Sequence, residues 1–313
     1  MNRVIMPVNA IQDTAVVTPV NTPAPCAPPR RVVVAHTPQL SASSTLAAQI
    51  AEQLAKWKVQ AQLASLEDED IGVRLDGIDM VIALGGDGTM LRAGCLTAPR
   101  SIPVLGVNLG RLGFLVEVQP SEWPAVLARV MSGDYWLEER MMLHAEVERE
   151  GELAQSLEVL NEVFVGRGGT GRPVRIEVRI DGGLLANYLA DGLIVATPTG
   201  STAYALAAGG PILPPELKNI LLVAVAPHLV IDRPIVLHEG TTVDLRVATT
   251  RPAMLSADGR DPMPLVNDDR VRVQSSRYVC RFVRVQPKSY FYRTLLARMA
   301  QNPAADLEKN PNQ

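Results

Sequence analysis

The stretch MVIALGGDGTML, residues 80–91, decides the fold. It opens on an unbroken apolar run, the pattern of a strand buried on both faces, and such strands belong to parallel sheets covered by helices. Gly85 and Gly86 then turn the chain, and TMLRAGCL continues as a helix. Glycine turns at strand–helix junctions commonly receive phosphate, because they leave backbone N–H groups open at the positive end of a helix. Here the turn also carries a carboxylate, Asp87, between Gly86 and Gly88. Phosphate is negative, so this aspartate needs a task of its own.

The neighbouring segments extend the same pattern. RVVVAH (31–36) is a short β-branched strand, and the helix after it carries Leu46, Ile50, Leu54 and Trp57 on one stripe, with Ser43 or Ser44 as its cap. IPVLGVN (102–108) is another all-apolar strand. PSEWPAVLARVMSG (120–133) is a helix with Val126, Leu127, Val130 and Met131 inward and Gly133 as its stop. Continuous apolar strands alternating with helices give an α/β domain with a Rossmann-like parallel sheet over residues 31–133.

After Asp134 the texture changes to short segments of alternating polarity. In PVRIEVRI, Val174, Ile176, Val178 and Ile180 share one face, and Arg175, Glu177 and Arg179 share the other. Residues 134–288 therefore form an all-β, sandwich-like domain, interrupted by a helical turn at 200–210. SYFYRTLLARMA (289–300) is a closing helix expected to pack back on the α/β domain. Residues 1–30, rich in proline and small polar types, and residues 301–313 are expected to be disordered tails.

Composition excludes several classes. Apolar residues make up 47% and aromatics only 4%, so the core is aliphatic. A formal charge of -3 with scattered arginines gives no nucleic-acid footprint. The longest apolar run, ILLVAVA (220–226), is too short to span a bilayer, and no membrane partner is expected. Cys26, Cys95 and Cys280 offer neither a disulfide framework nor metal spacing, which fits reduced thiols in the cytoplasm. His228 and His238 are not at metal spacing either, and no direct protein cage for a metal is expected.

Several stretches carry chemistry. In GGDGT, Gly85, Gly86 and Gly88 let a ligand approach the backbone, and Thr89 can cap the helix. With amides holding a polyphosphate, Asp87 would take a proton from an attacking hydroxyl or orient a magnesium ion; an ordinary turn with Asp87 as helix cap is the alternative. No P-loop motif occurs. Gly166, Gly168 and Gly171 match G-x-G-x-x-G but precede a strand, whereas the dinucleotide fingerprint opens a helix, so they read as a hairpin loop. ADGLIVATPTGSTAY (190–204) places hydroxyls and a glycine in one tight loop after a buried strand, suited to ribose and phosphate, with Tyr204 as an aromatic with a polar tip; a capped helix start is the alternative. In LNEV, adjacent Asn161 and Glu162 break the alternation of a strand over 157–165. They either grip a sugar diol or adenine edge, or mark a bulge or strand end. Asn108 lies just past a strand's carboxyl end, where open α/β sheets bind ligands. Asp258 lies in SADG, a hairpin turn or a site residue.

Taken together, GGDGT, GVNLGRLGFL, NEV, DGLIVATPTGSTAY, AGGPI, APHLVIDRPIVL, SADG and SYFYRTLLARM resemble the NAD kinase family, in the family's order and over residues 32–299. GGDGT alone is shared with diacylglycerol, sphingosine and phosphofructokinase-type enzymes; the DGLIVATPTGSTAY block is far more specific. The resemblance implies a two-domain architecture with the active site between the domains, in a homodimer or homotetramer. It implies transfer of the γ-phosphoryl of ATP, or of polyphosphate, to the adenosine ribose 2′-hydroxyl of NAD, assisted by Mg2+ or another divalent cation. Asp87 matches the family's catalytic aspartate. Gly85, Gly86, Gly88, Thr89 and Arg92 would bind the donor phosphates. Asn161, Glu162, Asp191, Thr199, Thr202, Ala203 and Tyr204 would bind NAD, with Asp191 toward the nicotinamide end. A lipid or sugar kinase with the same glycine loop, or a non-catalytic nucleotide-binding regulator, are the competing expectations.

Overall fold

A computed structural model describes residues 26–300 apart from 39, 111–112, 170–171, 229–230 and 249–250, and without the side chains of Arg298 and Ala300. Most of the N-terminal tail, all of the C-terminal tail, Gly171 and part of the GRLGFL and HLVIDRP stretches lie outside the described residues. The chain runs β1 (Arg31–His36), α1 (Ser41–Lys56), β2 (Gln60–Ser65), α2 (Ile71–Arg74), β3 (Met80–Gly85), α3 (Asp87–Thr97), β4 (Val104–Asn108) and α4 (Trp123–Met131). It continues as β5 (Trp136–Arg149), β6 (Glu152–Val159), β7 (Glu162–Arg167), β8 (Val174–Ile180), β9 (Gly183–Ala190) and β10 (Gly192–Ala196). A 3-10 turn at Gly200–Thr202 leads to α5 (Tyr204–Ala207), β11 (Asn219–Val225), β12 (Ile235–His238), β13 (Val243–Val247), β14 (Ala253–Ala257), β15 (Met263–Leu265), β16 (Arg270–Arg284) and α6 (Tyr290–Ala300).

The α/β half is a parallel sheet in the order β2-β1-β3-β4. Alternation along β3 sends Met80, Ile82 and Leu84 to one face, where α1 and α4 cover them with Leu46, Ile50, Leu54, Leu127 and Val130. Val81 and Ala83 go to the other face, under Met90 and Ala93 of α3. Both faces are dry, which is why these strands read as unbroken apolar runs. Trp57 falls one residue beyond α1 and is partly exposed, so the stripe ends at Leu54. Neither Ser43 nor Ser44 caps that helix; the Ser43 hydroxyl accepts the Thr37 N–H instead and pins the β1–α1 loop.

The C-terminal half is an antiparallel sandwich. Val174, Ile176 and Val178 of β8, with residues of β5, β13 and β16, face Val163 and Val165 of β7, Leu193 and Val195 of β10 and Leu255 of β14 across one aliphatic core. The second layer is a six-stranded sheet in the order β12-β11-β10-β7-β14-β15. Its outer face carries Ile194, Leu221 and Val223 under Ala205 of α5, so β10 is buried on both sides.

The two halves are not separate sheets. β16 pairs antiparallel with β5 along its length and parallel with β4 at Phe282↔Val104. One ten-stranded sheet thus crosses the whole molecule. α6 forms as expected from its sequence, but none of its described side chains joins a core, and Leu296 is 79% exposed. The expected packing of this helix back onto the α/β domain is therefore not seen among the described side chains.

Candidate active site between the two halves

α3 begins directly after the glycine turn, with Gly86 at its N-cap position and Asp87 as its first residue; no side chain caps it, Thr89 included. Thr89 instead packs over Gly85, where a Cβ would overlap its side chain. The Asp87 carboxylate folds onto the loop after β4. Phe114 N–H donates to its Oδ2 at 2.6 Å and Leu115 N–H to its Oδ1 at 2.9 Å. A Cβ at Gly113 would overlap the same carboxylate, so the close approach requires glycine there. Asn108, buried at the end of β4, starts this loop by accepting the Gly110 N–H through Oδ1 at 3.0 Å. Asp87 is therefore an oriented acceptor rather than a freely swinging side chain. Each of its oxygens keeps a lone pair for another donor.

Arg92, one turn along α3, donates from Nε to the Leu66 carbonyl at 2.9 Å and lies 3.7 Å from Glu67. It borders two depressions. One, of about 200 Å3, lies at the carboxyl ends of β1 and β2 and reaches Gly88 and Thr89. The other, of about 750 Å3, lies between the halves, with Gly88 and Leu91 on one wall and Asp258 and Arg260 on the other.

The NEV stretch is a strand end, not a continuous strand over 157–165. β6 stops at Val159 in one sheet and β7 starts at Glu162 in the other. Three amides at this crossing converge on Asp258, which accepts from Leu160 at 2.8 Å, Asn161 at 2.7 Å and Glu162 at 3.3 Å. Asp258 (φ 50°) and Gly259 (φ 67°) form the turn of the β14–β15 hairpin, closed by Arg260 N–H to the Ala257 carbonyl. Positive φ at both central residues is the turn type that Asp-Gly favours. Asp258 thus acts as hairpin turn and anchor at once. Burial raises its pKa, and the amides it accepts oppose that rise. The Cys95 thiol donates to it at 3.5 Å; burial and then the Asp258 carboxylate push that thiol up, so it stays protonated. Glu162 has one carboxylate oxygen buried with no partner. Burial and then the Asp258 charge push it up to about 8.

The TPTGST loop packs against this crossing. Thr197 N–H donates to the Asn161 carbonyl, and its hydroxyl donates to the Leu160 carbonyl at 2.6 Å. A Cβ at Gly200 would overlap the Asn161 backbone. Thr199 is buried, and its hydroxyl accepts from Arg140 at 3.1 Å. Thr202 bonds back to the Thr199 carbonyl, Ala203 closes the turn onto Gly200, and Tyr204 stands 42% exposed beside Phe164, ring centroids 5.5 Å apart.

Asp191 is set apart. Glu162 pairs with Ala196 and Gly166 with Gly192, so Asp191 lies at the opposite end of β10, where Arg167 pairs with it at 3.2 Å. A strand of that length puts roughly 17 Å between it and Glu162. Among the described residues no group of three or more His, Cys, Asp or Glu could hold a metal ion.

The sequence reading missed Glu138, Arg140 and Arg284. They form a buried ionic cluster at the junction of the halves, with Glu138 7%, Arg140 4% and Arg284 3% exposed. The readable signal was WLEERMML, in which Glu138 and Arg140 fall on the same face as buried Met142 of an alternating strand.

Residues 32–135 match the family model described as "ATP-NAD kinase N-terminal domain", and residues 160–285 the one described as "ATP-NAD kinase C-terminal domain". An NAD kinase of Chloroflexus aurantiacus is 41% identical over 273 residues, covering 87% of this chain and 99% of that protein. One of Heliobacterium modesticaldum is 40% identical over 268 residues, covering 82% and 94%. Among solved structures, yeast NADH kinase complexed with NADH superposes with a TM-score of 0.75 at 23% identity, over 92% of this chain and 93% of that one. An Archaeoglobus fulgidus NAD kinase in complex with ATP superposes with a TM-score of 0.70 at 24% identity, over 86% and 98%. These two likenesses are of fold. With both halves matched and two-fifths of residues identical along nearly the whole of its relatives, the chain belongs to the NAD kinase family.

Proposed function

We propose that this chain transfers the γ-phosphoryl group of ATP to the adenosine ribose 2′-hydroxyl of NAD, giving NADP and ADP. The observation that carries this reading is the Asp87 carboxylate, fixed by two loop amides at the head of α3, one residue before Gly88, which lines the cleft between the halves. The 2′-oxygen attacks phosphorus as the bond to the ADP oxygen breaks, and ADP leaves with the electron pair. The hydroxyl proton passes to a free lone pair of Asp87 and then to solvent. A secondary hydroxyl is a poor nucleophile, and a positioned base supplies roughly 10²–10⁴-fold. The amides of the Gly85–Gly88 turn, with Thr89 and Arg92, hold the donor phosphates.

Asn161, Glu162, Thr199, Thr202, Ala203 and Tyr204 hold the adenosine. Asp191 serves the nicotinamide end, contributed by a second copy in a homo-oligomer, since it stands at the far end of β10 from Glu162. The donor set fits Mg2+. One carboxylate, Asp87, belongs to the phosphate loop itself, and this ion is commonly held by one or two carboxylates plus substrate phosphates. When bound it spreads the charge on the transferring phosphoryl oxygens. The setting is the cytoplasm, which suits the three unpaired cysteines.

The test is a coupled NADP-formation assay on Asp87→Asn and Asn161→Ala. Asp87→Asn lowers kcat at least about a hundredfold with the KM for NAD little changed. Asn161→Ala raises the KM for NAD more than that for ATP. A near-wild-type kcat in Asp87→Asn removes Asp87 as the base. Turnover of diacylglycerol or a sugar phosphate in preference to NAD replaces the acceptor.

A further inference from the structure

Four charge-bearing side chains meet in the buried junction between the halves. Glu138 Oε2 accepts from Arg284 Nε at 2.7 Å and from Arg140 at 2.8 Å. Glu117 approaches Arg284 at 3.5 Å, so two cations face two anions. Both guanidiniums also lie beside the buried Phe282 ring, at 5.8 Å for Arg140 and 5.1 Å for Arg284. Such clusters are poor stabilisers, because desolvation consumes most of the Coulomb gain and an apolar set of equal volume is often as stable. The free arms of the cluster explain its presence better than stability does. Arg284 Nη1 donates to the Leu115 carbonyl at 2.7 Å, and the Leu115 N–H holds Asp87 Oδ1. Arg140 Nη1 donates to the Thr199 hydroxyl at 3.1 Å. Hydrogen bonds, bridged at Leu115 by its own backbone, therefore connect Asp87 through Arg284, Glu138 and Arg140 to Thr199. The connection passes through a single carboxylate oxygen.

We propose that Glu138, Arg140 and Arg284 are positioning residues that fix the Asp87 carboxylate and the Thr199 loop relative to one another across the junction of the halves. This rests on the reading of Asp87 as base and the Thr199 loop as acceptor site. The two arms divide the labour. Arg284 sets the loop that aims the carboxylate, an interaction that matters for the reacting geometry. Arg140 sets the loop that receives adenosine, an interaction that matters for binding. Glu138 ties the two together, so a shift of either guanidinium is felt by the other. Lysine keeps the charge at either arginine but is a compact point charge on a flexible stem, without the rigid planar fork that holds two partners in fixed directions.

The experiment measures kcat and KM for NAD and ATP, per folded enzyme by circular dichroism, in Arg284→Lys, Arg140→Lys, Glu138→Asp and the double lysine variant. Arg284→Lys is expected to lower kcat about tenfold or more with the KM for NAD within about twofold, as small misplacements of a reacting group do. Arg140→Lys is expected to raise the KM for NAD about fivefold or more with kcat within about threefold. Glu138→Asp, which keeps the charge and retracts it by one methylene, moves both constants. The double variant falls short of the product of the singles, because the two arms share one oxygen. A merely structural cluster lowers the melting temperature and leaves both constants unchanged in the folded fraction; that result, or the same pattern from both arginines, overturns the proposal. Glu138→Asp is the mildest change and decides the question if a lysine variant does not fold. Asp87→Asn, assayed in parallel, separates the failures. If it keeps wild-type kcat, the reading of Asp87 falls. If it is inactive while Arg284→Lys and Glu138→Asp match wild type, the positioning role falls alone.

Discussion

Glu162 sits where a carboxylate ionises with difficulty: mostly buried, one oxygen without a partner, and beside the Asp258 charge. With a folded-state pKa near 8 against 4.5 for the ordinary group, it keeps its proton at neutral pH and presents a hydroxyl as well as a carbonyl. The sign of its linkage follows. Between pH 4.5 and 8 the folded state binds a proton that the unfolded state has released, so this group's contribution falls as pH rises through that window. Glu162→Gln, which cannot ionise, is expected to lose less melting temperature than wild type between pH 5 and pH 8. Equal losses in thermal melts would mean that Glu162 is ionised in the folded protein. Asn161 and Glu162 were legible as an anomaly in the sequence, because two adjacent polar residues cannot share one face of a strand. Their controller, Asp258, lies 96 residues away from Glu162, and only the hairpin geometry brings it there.

At the level of elements, the site is made by segments ending rather than by segments themselves. α3 starts, β4 ends in a loop, β6 stops and β7 begins, and Asp87, Asn161 and Glu162 each stand at one of those ends. The glycine turn was readable because strand, turn and helix are local patterns. The clasp of the 113–115 loop on Asp87 was not, since GVNLGRLGFL shows only that glycines are needed somewhere. Gly113 is where the need is acute. Gly113→Ala is expected to push the loop off Asp87, lowering kcat at least about tenfold while the melting temperature changes by only a few degrees, measured by steady-state assay and thermal melt. Unchanged kcat would mean that the loop does not orient the carboxylate. The separation of Asp191 from the rest of its motif belongs to this scale. DGLIVATPTGSTAY looks like one site in one dimension, but a strand lies between its two ends and carries them apart.

For the whole molecule, the alternating patterns foretold both architectures, parallel sheet and sandwich, and placed most of the core. The junction was harder, because it depends on β16, whose fifteen residues serve both halves. Its charged end also sets the acid behaviour. Burial pushes Glu138 up, but Arg284 and then Arg140 outweigh it and bring it down to about 2. A lowered carboxylate adds stability that is present above pH 4.5 and is lost as pH falls from 4.5 toward 2. Glu138→Gln is expected to be less stable than wild type at pH 7 and to show a flatter decline between pH 5 and pH 3 in chemical denaturation. A decline as steep as that of wild type would place the acid-sensitive contact elsewhere.

β16 sends Val271 and Val273 into the sandwich core, Cys280 and Phe282 beneath α3, and Val283 beneath α1 and α4, where Val285 just after the strand joins it. A segment anchored three times over leaves no pivot on which two lobes could swing. Many kinases clamp their nucleotides by lobe closure; a strand shared in this way predicts that nucleotides enter and leave here through loop movement instead. Small-angle scattering should accordingly return one radius of gyration for a given oligomer, with NAD or without it, and a contraction on adding NAD would reveal a hinge that this strand ought to forbid.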